Sequence, residues 1–138
     1  MPARDIFHEH VKQALINDGW IITHDPLRME IGLKDLYVDL GAERLLAAQK
    51  EQEEIAVEVK SFISKSDVQD LKDAVGQYIV YRGILEELEP RRVLYLAVHR
   101  KIYKELFEEP IGQITLAKNH IRLIVFDPDK AEIVQWIN

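Results

Sequence analysis

Residues 55–62 run Ile55-Ala56-Val57-Glu58-Val59-Lys60-Ser61-Phe62, an apolar, β-branched stretch with a carboxylate and an ammonium set into it. Side chains alternate along a strand, so Glu58 and Lys60 share one face about 6.6 Å apart, while Val57 and Val59 share the other. Charged groups on an otherwise apolar face cost desolvation unless they are paired or hold an ion. Upstream, Asp39 lies in the interleaved run Leu36-Tyr37-Val38-Asp39-Leu40-Gly41-Ala42, which reads as a strand in an antiparallel hairpin with 55–62. An Asp opposite Glu58 supplies two hard oxygen ligands for Mg²⁺ (or Mn²⁺), with water filling the remaining positions. Lys60 then stands where it could orient or deprotonate an attacking water, or offset charge on a phosphorane-like transition state. The chemistry outlined is metal-assisted phosphodiester hydrolysis. Taken alone, E-x-K is a common tripeptide, and an ion pair on a wet edge strand accounts for it as well. Asp35, four residues before Asp39, shares its face by the period of two.

The elements that must position these residues follow from periodicity and punctuation. Residues 5–18 carry Ile6, Phe7, Val11, Ala14 and Leu15 at helical spacing behind a capping-type Asp5, and Gly19 stops the helix. Trp20-Ile21-Ile22-Thr23 is a short strand closed by Asp25-Pro26, and residues 27–34, mixed and containing Gly32, read as loop. The charged cluster Lys50-Glu51-Gln52-Glu53-Glu54 reads as the solvated turn of the hairpin, with Gly41 a candidate bulge. Ser66-Asp67-Val68-Gln69 has the form of a capping box, and Val68, Leu71, Val75, Tyr78, Ile79, Arg82 and Leu85 keep one face of a long helix that Glu89-Pro90 ends. Residues 92–98 form a strand too apolar to have a water-facing side. A short helix at 101–108, broken by Pro110-Ile111-Gly112, precedes a second one reaching Ala117. Two strands, 121–126 and 132–137, join through the turn Asp127-Pro128-Asp129-Lys130. The order predicts a single α/β or α+β domain over residues 1–138 with a mixed sheet.

Composition removes other classes. A chain of 138 residues, 47% hydrophobic, buries an ordinary core without staples, and 30% charged residues exclude a membrane protein. No apolar run approaches the roughly 20 residues of a membrane helix. With no cysteine, thiolate metal sites and thiol nucleophiles are excluded. Five histidines without H-x-x-x-H or H-E-x-x-H spacing give a zinc enzyme little support, and there is neither a nucleophile elbow around Ser61 nor a Gly-rich phosphate loop. The start has no basic segment followed by an apolar one, so the expectation is a cytoplasmic protein. Eighteen Lys and Arg against 24 Asp and Glu give a net charge of -6, the wrong sign for holding nucleic acid by bulk electrostatics. Small basic patches at Arg91-Arg92 and His99-Arg100-Lys101 flank one strand and could dock phosphates, although ordinary surface charge explains them equally.

Asp39 and Glu58-x-Lys60 on a hairpin, between a helix bearing Glu9 and a long helix, resemble the PD-(D/E)XK nuclease superfamily. More specifically, Pro2-Ala3-Arg4-Asp5-Ile6-Phe7-His8, Asp18-Gly19-Trp20, Thr23-His24-Asp25-Pro26-Leu27, Asp39-Leu40-Gly41-Ala42-Glu43, Ala56-Val57-Glu58-Val59-Lys60-Ser61-Phe62 and Gly76-Gln77-Tyr78 resemble the XisH family, the fdxN element excision controlling factors of cyanobacteria. The resemblance implies a restriction-endonuclease-like α/β fold, its central mixed β-sheet flanked by helices. It also implies a role in controlling DNA excision by a site-specific recombinase alongside a companion, XisI. DNA and an XisI-like protein are the implied partners, and a homo-oligomer is open. An enzyme of this kind would be a Mg²⁺-dependent endonuclease; the other reading is an inactive accessory subunit.

Carried over, Asp39, Glu58, Lys60 and Gln77 make the catalytic set, with Asp39 and Glu58 as metal ligands. Asp35 is the alternative first ligand, since the superfamily often places that Asp at the start of its strand; Asp39 is preferred on its shorter separation from Glu58. Glu43 could face the ion if Gly41 is not a bulge. Val38 stands where the superfamily usually has Pro, and the connection from Asp39 to Glu58 is longer than in compact members. Gln77-x-x-x-Tyr81 resembles the Q-x-x-x-Y element of RecB-like members, against a plain reading of Tyr81 as core and Gln77 as solvated. Glu9, flanked by His8 and His10, could reach the ion from the first helix or form a solvated face.

Overall fold

The connections decide the architecture. A computed structural model describes residues 4–46 and 51–138. Its elements are α1 (His8–Asn17), β1 (Ile21–His24), β2 (Leu27–Ile31), β3 (Lys34–Val38), β4 (Leu40–Leu46), β5 (Glu51–Val59), α2 (Asp67–Leu88), β6 (Arg92–His99), the short α3 (Arg100–Ile102), α4 (Pro110–Asn119), β7 (Leu123–Asp127) and β8 (Glu132–Ile137). Six strands form one sheet in the order β1-β4-β5-β6-β7-β8, and β2 and β3 pair separately. β5, β6 and β7 are mutually parallel, while β1, β4 and β8 run antiparallel to their neighbours. The result is an α/β fold with a mixed central sheet flanked by helices. Both parallel crossovers step the same way across the sheet, so right-handedness puts α2 and α4 on one face. The other face is left to α1.

Each face carries its own core, assembled by strict alternation. Ala56, Leu94, Leu96, Val98, Leu123 and Val125 meet Leu71, Ala74 and Tyr78 of α2 and Leu116 of α4. Ile55, Val57, Val59, Tyr95, Ala97, Ile124 and Phe126 meet Val11 and Leu15 of α1. β6 is therefore apolar on both faces, as expected of a central parallel strand. Glu58 follows Ala56 on the α2 side, in a row otherwise filled by apolar side chains.

Several expectations are corrected. Residues 27–34 are not loop: Leu27 and Met29 are buried, Arg28 and Glu30 are exposed, and this alternation builds β2, which turns back through Gly32-Leu33 into β3. The run expected as one strand from Leu36 is two, broken by a bend at Asp39, so Asp35 lies within β3 and Asp39 in the bend after it, not on one face of a strand. The antiparallel hairpin is present, but residues 51–54 belong to β5 and are not its turn. Ala47, Ala48 and Lys50 lie outside the described residues. Gly41 is not a bulge; pairing with Ala56 continues through it, and the irregularity is on β1 between Ile22 and His24. A Cβ at Gly41 would sit 3.0 Å from His24 Nδ1, so the glycine makes room for that ring. The helix expected at 101–108 is α3 continued by a π-helical turn, Tyr103–Phe107. Only half of the capping box forms: Ser66 Oγ accepts from Gln69 N–H at 3.1 Å, and the Gln69 side chain donates to Asp73 instead.

Candidate metal centre

The bend between β3 and β4 places Asp39 against the end of β5. Its main-chain N–H donates to Glu58 Oε1 at 3.1 Å, and its Oδ2 accepts from the Val59 N–H at 2.8 Å. The two acids thus approach each other because one closes the main chain at the point where ladder pairing stops. Glu58 is only 6% exposed. Burial first, then the Asp39 charge and a side-chain hydrogen bond with Asp39, push its pKa up to about 9; the Asp39 N–H and the Lys60 ammonium pull the other way. The pair accordingly holds a proton at neutral pH, one that both carboxylates would release to a divalent cation.

Lys60 follows in line. Its N–H donates to Ala97 O at 3.1 Å, extending the β5–β6 ladder one residue. Tyr81 comes from α2: burial raises its pKa, the hydrogen bond from Gln77 opposes this, and the Glu58 and Asp39 charges raise it further, which puts the hydroxyl within the field of the acid pair. Gln77 Nε2 donates to Tyr81 Oη at 3.0 Å. Both are half-buried, and Tyr81 packs against the core on the α2 side of the sheet, in keeping with its plain reading as a core residue.

The segment after Lys60 is clamped by residues whose role sequence reasoning missed. Asp5 Oδ2 accepts from Ser61 N–H at 3.0 Å, and His99 Nε2 lies 3.0 Å from Ser61 O. His99 Nδ1 accepts from Ile102 N–H, so Nε2 carries the proton and donates. Burial lowers the His99 pKa and favours that neutral ring. Asp70, buried, accepts from Ser64 N–H at 3.2 Å. Between these anchors Phe62 takes a left-handed φ of 55°, which costs a β-carbon residue on the order of 1 kcal/mol. Asp5 reads in sequence as a helix cap and His99 as part of a basic patch; nothing in their local spacing announces a contact 38 or 56 residues away.

Other expected residues are engaged elsewhere. Asp35 is exposed and paired with Arg28 at 3.1 Å. Glu43 faces Arg92, at 3.5 Å. Arg92 is no phosphate patch: it is buried, donates to Ile55 O, and meets Glu89 and Glu54 as well. Arg100 pairs with Asp127 at 3.2 Å. Glu9 joins His8 and Asp25 in a separate cluster, the one group of three acidic or histidine ligands among the described residues. Lys12 and His8 contact Asp25 at 2.8 and 2.7 Å, and Arg4 contacts Glu9 at 2.7 Å. Burial raises the Asp25 pKa, but those hydrogen bonds outweigh it and hold the group below its usual value. The cations already neutralise this cluster, which ties α1 to the turn before β2. His10 is exposed and lies edge-on to Phe7.

The profile of a family described as XisH protein matches residues 1–134, nearly the whole chain. The chain belongs to the XisH family. Two crystal structures are similar throughout. An XisH family protein from Nostoc punctiforme is 43% identical, with a TM-score of 0.88, covering 97% of this chain and 100% of its own. A fdxN element excision controlling factor protein from Anabaena variabilis is 44% identical, with a TM-score of 0.88, covering 98% and 100%. No curated protein matches. Among the described residues, no helix is long and apolar enough to cross a membrane.

Proposed function

We propose that this XisH-family chain is an fdxN-type excision controlling factor built on a restriction-endonuclease-like fold of the PD-(D/E)XK superfamily, carrying out metal-dependent phosphodiester chemistry on DNA within a complex. The observation that carries the reading is the Asp39–Glu58 pair: two carboxylates held so close in a buried setting that one keeps a proton. That donor set fits Mg²⁺ or Mn²⁺, which take one or two protein carboxylates and complete their shells with water. Asp39 and Glu58 would hold the ion, which supplies Lewis-acid activation of water and offsets charge at the phosphate. Lys60, one strand step beyond Glu58, orients the attacking water or takes its proton. Gln77 and Tyr81 line the approach from α2. Titration calorimetry with Mn²⁺ should show binding that Asp39→Ala and Glu58→Ala abolish; binding unchanged in both variants removes the metal centre.

A second reading has its own support. Asp39 accepts a main-chain hydrogen bond and Glu58 receives another, so both acids serve the fold without an ion. An accessory subunit acting through an XisI-like protein or the recombinase machinery, with no chemistry of its own, would keep them. Plasmid and branched DNA incubated with the protein in Mg²⁺ or Mn²⁺, with and without that partner, separates the two. Cleavage lost in Lys60→Ala supports the enzyme. Cleavage persisting in Lys60→Ala marks a contaminant, and none under any condition favours the accessory subunit.

A further inference from the structure

Helix α2 serves three surfaces. Leu71, Ala74, Tyr78 and Leu85 enter the core, and Tyr81, hydrogen-bonded by Gln77, lies within the field of the acid pair. At 100° per residue the remaining outward stripe is Lys72, Gly76, Ile79, Val80, Gly83 and Glu87, all exposed. Its centre is apolar, with Ile79 37% and Val80 54% exposed; the other exposed apolar side chains of the helix, Val68 and Leu88, lie near its two ends. The two glycines lie two turns apart, and a Cβ at either would meet nothing within 4 Å. Each costs the helix about 1 kcal/mol relative to alanine, and nothing within one copy requires them: neither has a positive φ and neither makes a close contact.

We propose that this stripe is a homodimer interface, in which α2 packs antiparallel against α2 of a second copy about a twofold axis between Ile79 and Val80. A twofold contact must be self-complementary, and the stripe is. Antiparallel pairing about that centre sets residue 72 opposite 87, 76 opposite 83 and 79 opposite 80. Lys72 meets Glu87 of the second copy, and each glycine faces the other where the backbones come closest. Lys72 and Glu87 take part in no ion pair described within one copy. Asp73 and Glu86, the like charges at this level, leave the stripe on opposite flanks and do not meet. The pairing is independent of any metal or nuclease chemistry at Asp39 and Glu58.

The native chain has no cysteine, so single cysteines report the geometry directly. Val80→Cys should oxidise to a disulfide-linked dimer, while Leu88→Cys, exposed on the same helix but off the stripe, should not. Equilibrium sedimentation should show a dimer that either Lys72→Glu or Glu87→Lys weakens about tenfold, since two ion pairs become repulsive in each. The double variant Lys72→Glu/Glu87→Lys should recover native association, a result that general surface disruption would not give. A monomer at concentrations on the order of 100 μM overturns the proposal. So does equal cross-linking at positions 80 and 88, or a double variant no better than the single ones while circular dichroism shows all of them folded.

Discussion

Glu58 is a carboxyl kept neutral by its surroundings, and the consequence for stability has a definite sign. Its folded pKa of about 9 lies above the ordinary value of 4.5, so the folded protein holds a proton that the unfolded chain releases between those values. This group's contribution is complete below pH 4.5 and declines as pH rises toward 9, by at most about 1.4 kcal/mol per pH unit. Glu58→Gln in the metal-free protein should therefore melt near the native temperature at pH 5 and progressively above it toward pH 9. Parallel melting curves for the two proteins across that range would refute the buried, protonated state. The alternation of residues 55–60 made the shared face of Glu58 and Lys60 legible in advance. Asp39 was expected beside Glu58, but as a residue of the paired strand; it lies off the strand, and its contact with Val59 N–H depends on a bend that no local pattern marks.

At the scale of elements, the hydrogen bonds of a few side chains decide where α2 and the segment after Lys60 sit. Tyr78 Oη donates to Leu94 O at 2.9 Å and accepts from Arg122 N–H at 3.1 Å, so one hydroxyl joins α2 to β6 and to the start of β7. Tyr78→Phe leaves the buried Leu94 O and the half-buried Arg122 N–H without it and should cost about 1–3 kcal/mol in urea denaturation. Asp5→Ala and His99→Ala each remove one anchor of Ser61. On the metal-centre reading, each should lower turnover while leaving Mn²⁺ affinity within about threefold, because neither residue is a ligand. Loss of Mn²⁺ binding in either variant would mean that the segment shapes the ligand pair itself. The long α2 between Ser66 and Pro90 and the end of α1 at Gly19 were visible from periodicity and punctuation; the start of α1 was not, since the helix begins at His8 with Phe7 at its cap and Asp5 lies before it. The β2–β3 hairpin was hidden by its brevity, since five residues of alternation around Gly32 resemble a mixed loop, and the π-helical turn at Tyr103–Phe107 has no sequence mark.

For the whole molecule, the net charge of -6 is spread over distinct duties. Glu43, Glu54 and Glu89 surround the buried Arg92, Asp25 and Glu9 are covered by Lys12 and Arg4, and Asp39 and Glu58 form the candidate centre. Arg92 is the hub of the first group, at the start of β6 beside β5. Arg92→Met should destabilise the chain by about 3 kcal/mol, by leaving three carboxylates close together without their cation. A melting temperature unchanged at low salt would show that solvent already screens them. Of the two basic patches expected in sequence, Arg92, His99 and Arg100 turn inward or pair, which leaves Arg91 and Lys101 exposed. On the proposed function, a partner or an ion would help to bring DNA to a chain of this net charge.

Asp39 seals the main chain at Val59 and seats the Glu58 carboxyl, so these acids contribute to folding before any ion or substrate arrives. On the proposed function, a descendant that lost catalysis would still be penalised for losing Asp39, whose carboxylate holds the Val59 N–H. An Asp kept at position 39 among related sequences would record selection for a foldable chain as much as for chemistry. Lys60 differs, since its described hydrogen bond is made by the main chain alone. Drift at that one position is what would distinguish working enzymes from lineages that kept only the scaffold.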